Sequence, residues 1–199
     1  MPRYKESERK EVKAATRQSL LQAATEAFAR LGYEKANINQ ISRAAGFAKG
    51  TIYNYFESKR ALMVALIHET ANLHLDFIAA RVLGEEDAES RLMRFFEAGW
   101  SVVADYLPQL RILVHTLYGA DDELKIMLWE VYQPMHKLIR EDIIDLGVQQ
   151  GTFRSVDSQA TTGLIMSLYL GIASQADDEG VIWLDSGQVA DFVLNGLRK

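Results

Sequence analysis

GYEKANINQISRAAGFAKGTIYNYFESKRALM, residues 32–63, is the most informative stretch of this 199-residue chain. It holds two short helical patterns on either side of Gly46. Asn37 suits the N-cap of the first, because its side-chain oxygen can accept from the free N–H groups of a first turn. Ile38, Ile41 and Ala45 follow at helical spacing and make one apolar stripe. Ala44, Ala45 and Gly46 are small enough to let a second helix approach, and Gly46 can take the positive φ of a sharp turn. Phe47 is expected as an apolar plug beneath that turn.

The second pattern predicts a helix over 49–55. Ile52 and Phe56 are four apart and share its inward face. Lys49, Gly50, Thr51, Asn54 and Tyr55 then face outward, with Tyr53 on the flank. Gly50 removes bulk where a partner must come close. The hydroxyls of Thr51, Tyr53 and Tyr55 suit phosphate, and Asn54 suits a base edge. Gln40 and Arg43 of the first helix and Lys59 beyond the second complete the expected DNA-contacting set. Ser58 looks like the N-cap of a long helix that follows. Two tyrosines on a short helix are often plain surface or core aromatics, so the weight rests on the whole pattern.

That pattern resembles the N-terminal DNA-binding domain of the TetR family of bacterial transcriptional regulators. Phe28, Gly32, Tyr33, Ile41, Ala45, Gly46, Gly50, Thr51, Ile52, Tyr53, Tyr55, Phe56, Ser58, Lys59 and Leu62 all fit at fixed spacing. Two positions depart. Ser42 stands where the family usually has Ala, and its hydroxyl is expected to bond back along the helix. Ala48 stands where the family has a Ser, at the expected cost of an N-cap worth about 1 kcal/mol and of one phosphate donor. The resemblance implies an all-α fold. Residues 1–57 would form a three-helix helix-turn-helix domain and residues 58–199 a helical ligand-binding and dimerisation domain. It also implies a repressor that acts as a homodimer on a palindromic double-stranded DNA operator. A small, largely hydrophobic effector would release it.

Composition fits a reader with a separate body. Net charge is −5, which at first argues against nucleic acid. Yet residues 1–59 hold 11 Lys and Arg against 6 Asp and Glu, while residues 60–199 hold 11 against 21. A basic head on an acidic body touches phosphate with one end. Arg3, Lys5, Arg9 and Lys10 are expected on a mobile arm over 1–10. The absence of cysteine excludes disulfides, thiolate metal sites and cysteine nucleophiles. The polar N-terminus is no signal peptide, and no apolar run approaches the roughly 20 residues of a membrane span. A cytoplasmic location, with no membrane partner, is therefore expected.

Further helices are expected over 11–31, 58–83, 88–106, 108–118, 121–147, 157–177 and 186–198. Leu20, Ala24, Phe28 and Leu31 would line the inward face of the first, and Leu62, Leu66, Leu73 and Phe77 that of the second. Pro108 can start a helix, and Pro134 should kink or split one. The 58–83 helix would join the two domains without a flexible linker. Phe96, Trp100, His115, Tyr118, Trp129, Tyr132 and His136 are the candidates for an apolar effector pocket. Leu164, Leu168, Gly171, Ile172, Val189, Phe192 and Val193 are the candidates for a dimer face, although they would equally complete a monomer core. Catalytic and cofactor motifs are lacking, and His68 and His74, six apart, do not share a helix face. A binding protein is expected rather than an enzyme, with no cofactor and no metal.

Overall fold

The computed structural model describes residues 6–177, 179 and 181–199, with the side chains of Ser7, Ile172 and Ala173 outside the described set. Of the expected arm, residues 1–5 with Arg3 and Lys5 also lie outside it. Nine α-helices are described: α1 (Glu6–Lys35), α2 (Ile38–Ala44), α3 (Lys59–Val82), α4 (Ala88–Tyr118), α5 (Asp122–Val131), α6 (Gln133–Lys137), α7 (Leu146–Gln150), α8 (Ser158–Ala173) and α9 (Ser186–Leu197). A 3-10 helix (Thr51–Asn54) lies between α2 and α3, and a π-helix (Leu138–Asp145) between α6 and α7. Among the described residues, the one extended pairing is the isolated bridge between Phe153 and Arg198.

The chain divides into two compact units, Met1–Glu69 and Thr70–Lys199. The division falls inside α3, later than the boundary after residue 57 expected from sequence. The physical reason is packing: Leu62, Met63, Leu66 and Ile67 are buried and belong to the first unit. Arg17 of α1 also pairs with Glu69 at 3.2 Å.

In the first unit, α1 packs on α2 and α2 on the 3-10 helix. Helix α1 starts earlier than expected and is broken at Gly32, whose φ of 75° is left-handed and favours glycine. Leu20, Ala24 and Phe28 are buried as expected, but Leu31 is exposed and Leu21 takes a core place instead.

In the second unit, α4 packs against α5, α7, α8, α9 and the π-helix. Its core is built on Phe95, Phe96, Leu92, Ile139, Ile143 and Phe153. Helix α4 runs through Pro108 as one element, but it kinks at Tyr106 (φ −129°, ψ 29°). Pro108 cannot donate to the carbonyl four residues back, so the bend precedes it. Pro134 acts as expected: α5 ends at Val131, and α6 restarts with the proline in its first turn. Asp87, Asp121 and Asp185 cap α4, α5 and α9 by accepting backbone N–H groups. On the second-unit part of α3, Leu73 is exposed while His74 is buried, the reverse of the expected stripe.

Candidate functional site

Two sites emerge, one in each unit. In the first, Asn37 caps α2 as its sequence context requires, accepting from Asn39 N at 2.9 Å and Gln40 N at 3.3 Å. The helix ends in a Schellman motif. Phe47 N donates to Ser42 O and Gly46 N to Arg43 O, each at 3.0 Å, with Gly46 at φ 84°. Phe47 is half-buried under this turn.

The segment after the turn is shorter than the helix expected over 49–55. A 3-10 helix covers only Thr51–Asn54, with Gly50 before it giving no side-chain cap. Ile52 and Phe56 are buried and anchor it. Lys49, Gly50, Tyr53 and Asn54 are exposed, as are Gln40 and Arg43 of α2, while Thr51 and Tyr55 are half-buried. One short surface therefore offers two cations, three hydroxyls, two amides and a glycine.

Both departures from the family pattern meet at the turn. Ser42 is fully buried, and its hydroxyl donates to Ala48 O at 2.7 Å. The bond back along its own helix that the sequence suggests is not made. The Ser42 bond ties α2 to the turn but supplies no cap, and the 3-10 helix that follows has no side-chain N-cap.

Lys59 differs from expectation more sharply. Its ammonium donates to Tyr33 O at 2.8 Å, Glu34 O at 3.1 Å and Ala36 O at 3.4 Å, and lies 4.5 Å from the Tyr33 ring centre. Those carbonyls belong to the end of α1, where helix geometry leaves acceptors unpaired. All three ammonium protons have acceptors within the protein, so Lys59 serves as a strut between α3 and the end of α1. Ser58 accepts from Ala61 N at 3.0 Å and caps α3 as expected.

The second site is an apolar cavity in the body. Its volume is about 80 Å³, within an envelope of about 740 Å³ that includes its open mouth. Leu110, Leu113, Val114 and Leu117 of α4 form one wall, and Leu128, Met135, Met166 and Leu170 others. Three expected residues line it: Trp129, Tyr132 and His136. Phe96 and Trp100 do not. Phe96 is fully buried against Phe95, and Trp100 donates its indole N–H to Leu184 O at 2.7 Å. His115 and Tyr118 are exposed and are also absent from the wall.

Of the polar floor of this cavity, Tyr132 is expected from the sequence, whereas His74 and Tyr169 are not. His74 contacts Tyr132 Oη through Nδ1 at 2.9 Å and Tyr169 Oη through Nε2 at 2.7 Å. It joins α3 to the junction before α6 and to α8. Its imidazole also stacks on the Tyr169 ring, with centroids 5.9 Å apart. Burial pushes the His74 imidazole down to about 4 and holds both phenols well above the usual tyrosine range. The triad is therefore neutral at pH 7. Burial also lowers the His136 imidazole. No signal short of the fold could assemble positions 74, 132 and 169.

Elsewhere on the body, Leu164 and Phe192 are 72% and 75% exposed. With Leu168 and Val193 they line a shallow apolar trough between α8 and α9. Gly171 is half-buried with open space where a Cβ would stand. Val189, expected on the same face, is buried and completes the monomer core. The Ile172 side chain lies outside the described residues. Among the described residues, no helix is long and apolar enough to cross a membrane.

Such a head, a capped helix and a short second element across a glycine turn, defines a helix-turn-helix regulator. Residues 20–66 match the model of the tetR family of bacterial regulatory proteins. An uncharacterized HTH-type transcriptional regulator of Bacillus subtilis is 30% identical over 156 residues, 76% of this chain and 77% of that protein. The chain belongs to the tetR family. Solved structures share the whole fold. The fatty acid degradation regulator FadR from Bacillus halodurans superposes with a TM-score of 0.81 at 23% identity, over 92% of this chain and 96% of its own. AibR, solved with isovaleryl coenzyme A and operator DNA, gives 0.75 at 20% identity, over 92% and 98%.

Proposed function

We propose that the protein is a cytoplasmic transcriptional repressor, active as a homodimer and released from its operator by a small, largely hydrophobic effector. The observation that carries this reading is the pairing of an exposed reader surface with an apolar cavity in one chain. Lys49, Gly50, Thr51, Tyr53, Asn54 and Tyr55 would enter the major groove, with Gln40 and Arg43 alongside. Asn54 would read a base, and the hydroxyls and Lys49 would hold phosphate. A second copy, packed on Leu164, Leu168, Phe192 and Val193, would place the next reader about 34–36 Å away along the duplex. A dimer spanning two major grooves excludes other proteins from that DNA, which is repression in its simplest form.

The cavity is lined by Leu, Val and Met with few polar groups, which suits an acyl or other hydrocarbon body. The acyl-coenzyme A bound to AibR is consistent with that class of effector. Effector action requires that the released form bind it more tightly than the DNA-bound form. Helix α3 carries His74 on the cavity and begins in the reader unit, so it offers a continuous path.

The test starts by selecting operator duplexes from random DNA with the full-length protein. Gel-shift titrations then follow with isovaleryl- and stearoyl-coenzyme A. Palindromic selected sites, and weaker binding with saturating acyl-coenzyme A, are expected. Asn54→Ala should relax preference at one base pair of each half-site. Selection that returns no common sequence would sink the repressor reading.

A further inference from the structure

The His74 cluster holds one more hydrogen than its own acceptors can take. A neutral imidazole has one N–H and one acceptor nitrogen, and each phenol has one O–H. Both ring nitrogens are engaged, one with each tyrosine. Only one tyrosine can donate to the single acceptor nitrogen. The other must accept the imidazole N–H, and its own proton is left over. Whichever tautomer holds, the surplus hydrogen is phenolic. Among the described residues neither phenol has another hydrogen-bond partner. Both tyrosines line the cavity.

We infer that the His74–Tyr132–Tyr169 triad presents one phenolic O–H to the effector, so that the cavity selects a neutral apolar group carrying a carbonyl-type acceptor. The inference rests on the reading of this cavity as the effector site. A pure hydrocarbon would bury that donor without a partner, which is costly. A carboxylate would bring a charge into a cavity whose lining holds neither Lys nor Arg. A ketone, ester or thioester meets both conditions. His74 is also the one cavity-lining residue supplied by α3. A ligand oxygen that accepts from the surplus O–H selects the imidazole tautomer in which that tyrosine accepts the ring N–H.

The test uses the full-length protein and three probes of similar body: hexanophenone, hexylbenzene and 6-phenylhexanoate. Calorimetric titration should show hexanophenone binding about tenfold more tightly than hexylbenzene, the order of one net hydrogen bond. The carboxylate should bind least. The infrared carbonyl stretch of bound hexanophenone should move to lower frequency than in hexane. In His74→Leu/Tyr132→Phe/Tyr169→Phe the ketone and hydrocarbon should bind equally, and the stretch should return. Replacing the whole network by apolar groups of similar shape keeps the fold attainable. The infrared readout on the unaltered protein needs no variant at all. Equal affinity for ketone and hydrocarbon with an unshifted carbonyl overturns the inference and leaves the cavity as the effector site. Tighter binding of the carboxylate also overturns it. Binding of none of the three overturns both the inference and the effector reading of the cavity.

Discussion

Lys59 and His74 sit on the same helix, one at its first residue and one midway along. Lys59 is half-exposed and directs its ammonium at three neighbouring carbonyls at the end of α1. His74 is buried and bonds two tyrosines 58 and 95 residues away in sequence. The first contact closes a local helix end and leaves its charge beside solvent. The second ties remote helices together and gives up its charge to do so. Lys59 thus closes one helix end, whereas His74 draws two remote helices onto α3. The two should therefore fail under different stresses.

Acid is expected to break the second most severely. The folded imidazole resists protonation until about pH 4, against 6.5 in the unfolded chain. Between those values the unfolded state binds the extra proton, so stability falls as pH falls. The loss approaches roughly 3 kcal/mol by pH 4. Urea melts of the body at pH 7, 5.5 and 4 read it, and the contribution should vanish in the triple apolar variant. A smaller perturbation of the same cluster comes from Gly99. A methyl group there would overlap the Tyr169 ring. Gly99→Ala should destabilise the body by about 1–3 kcal/mol and raise the accessibility of Tyr169 to iodination.

Lys59→Ala should cost the head about 1 kcal/mol, discounted from a buried charged contact because the side chain is half-exposed. The salt dependence of operator binding should stay unchanged. Lys49→Ala should do the opposite, sparing stability while lowering the salt slope by about 1. If Lys59→Ala flattened the slope instead, Lys59 would be a phosphate contact and not a strut. The smallest effect is expected from Ser42→Ala, which loses one hydroxyl contact to Ala48 O, about 1 kcal/mol or less. Thermal melts of the isolated change suffice to measure it.

These contrasts explain what could be read from the chain. Asn37, Gly46, Ile52 and Phe56 act locally, so their types and spacing predict the turn directly. For Lys59, charge alone suggests phosphate, and the carbonyls it bonds, 23 to 26 residues back, lie beyond any local pattern. In the body, helix periodicity and Pro134 place the elements well. The cavity needed α3, α4, α5, α6 and α8 brought together, so only Trp129, Tyr132 and His136 were picked out. Leu73 outranked His74 on apolarity, yet the fold buries the histidine because two phenols satisfy it. The 3-10 form of residues 51–54 is not legible either, because Ile52 and Phe56, four apart, give the spacing of an α-helix face.

The three tryptophans give the molecule a built-in optical reporter. Trp129 stands at the cavity mouth, 5.5 Å from His136 and 59% exposed. Trp183 is 87% exposed and sees bulk water, while Trp100 is fixed by its bond to Leu184 O. Neither lines the cavity. A ligand that enters must displace water from one indole while leaving the other two as a steady background. A blue shift of emission that disappears in Trp129→Phe would therefore report occupancy directly, without a label.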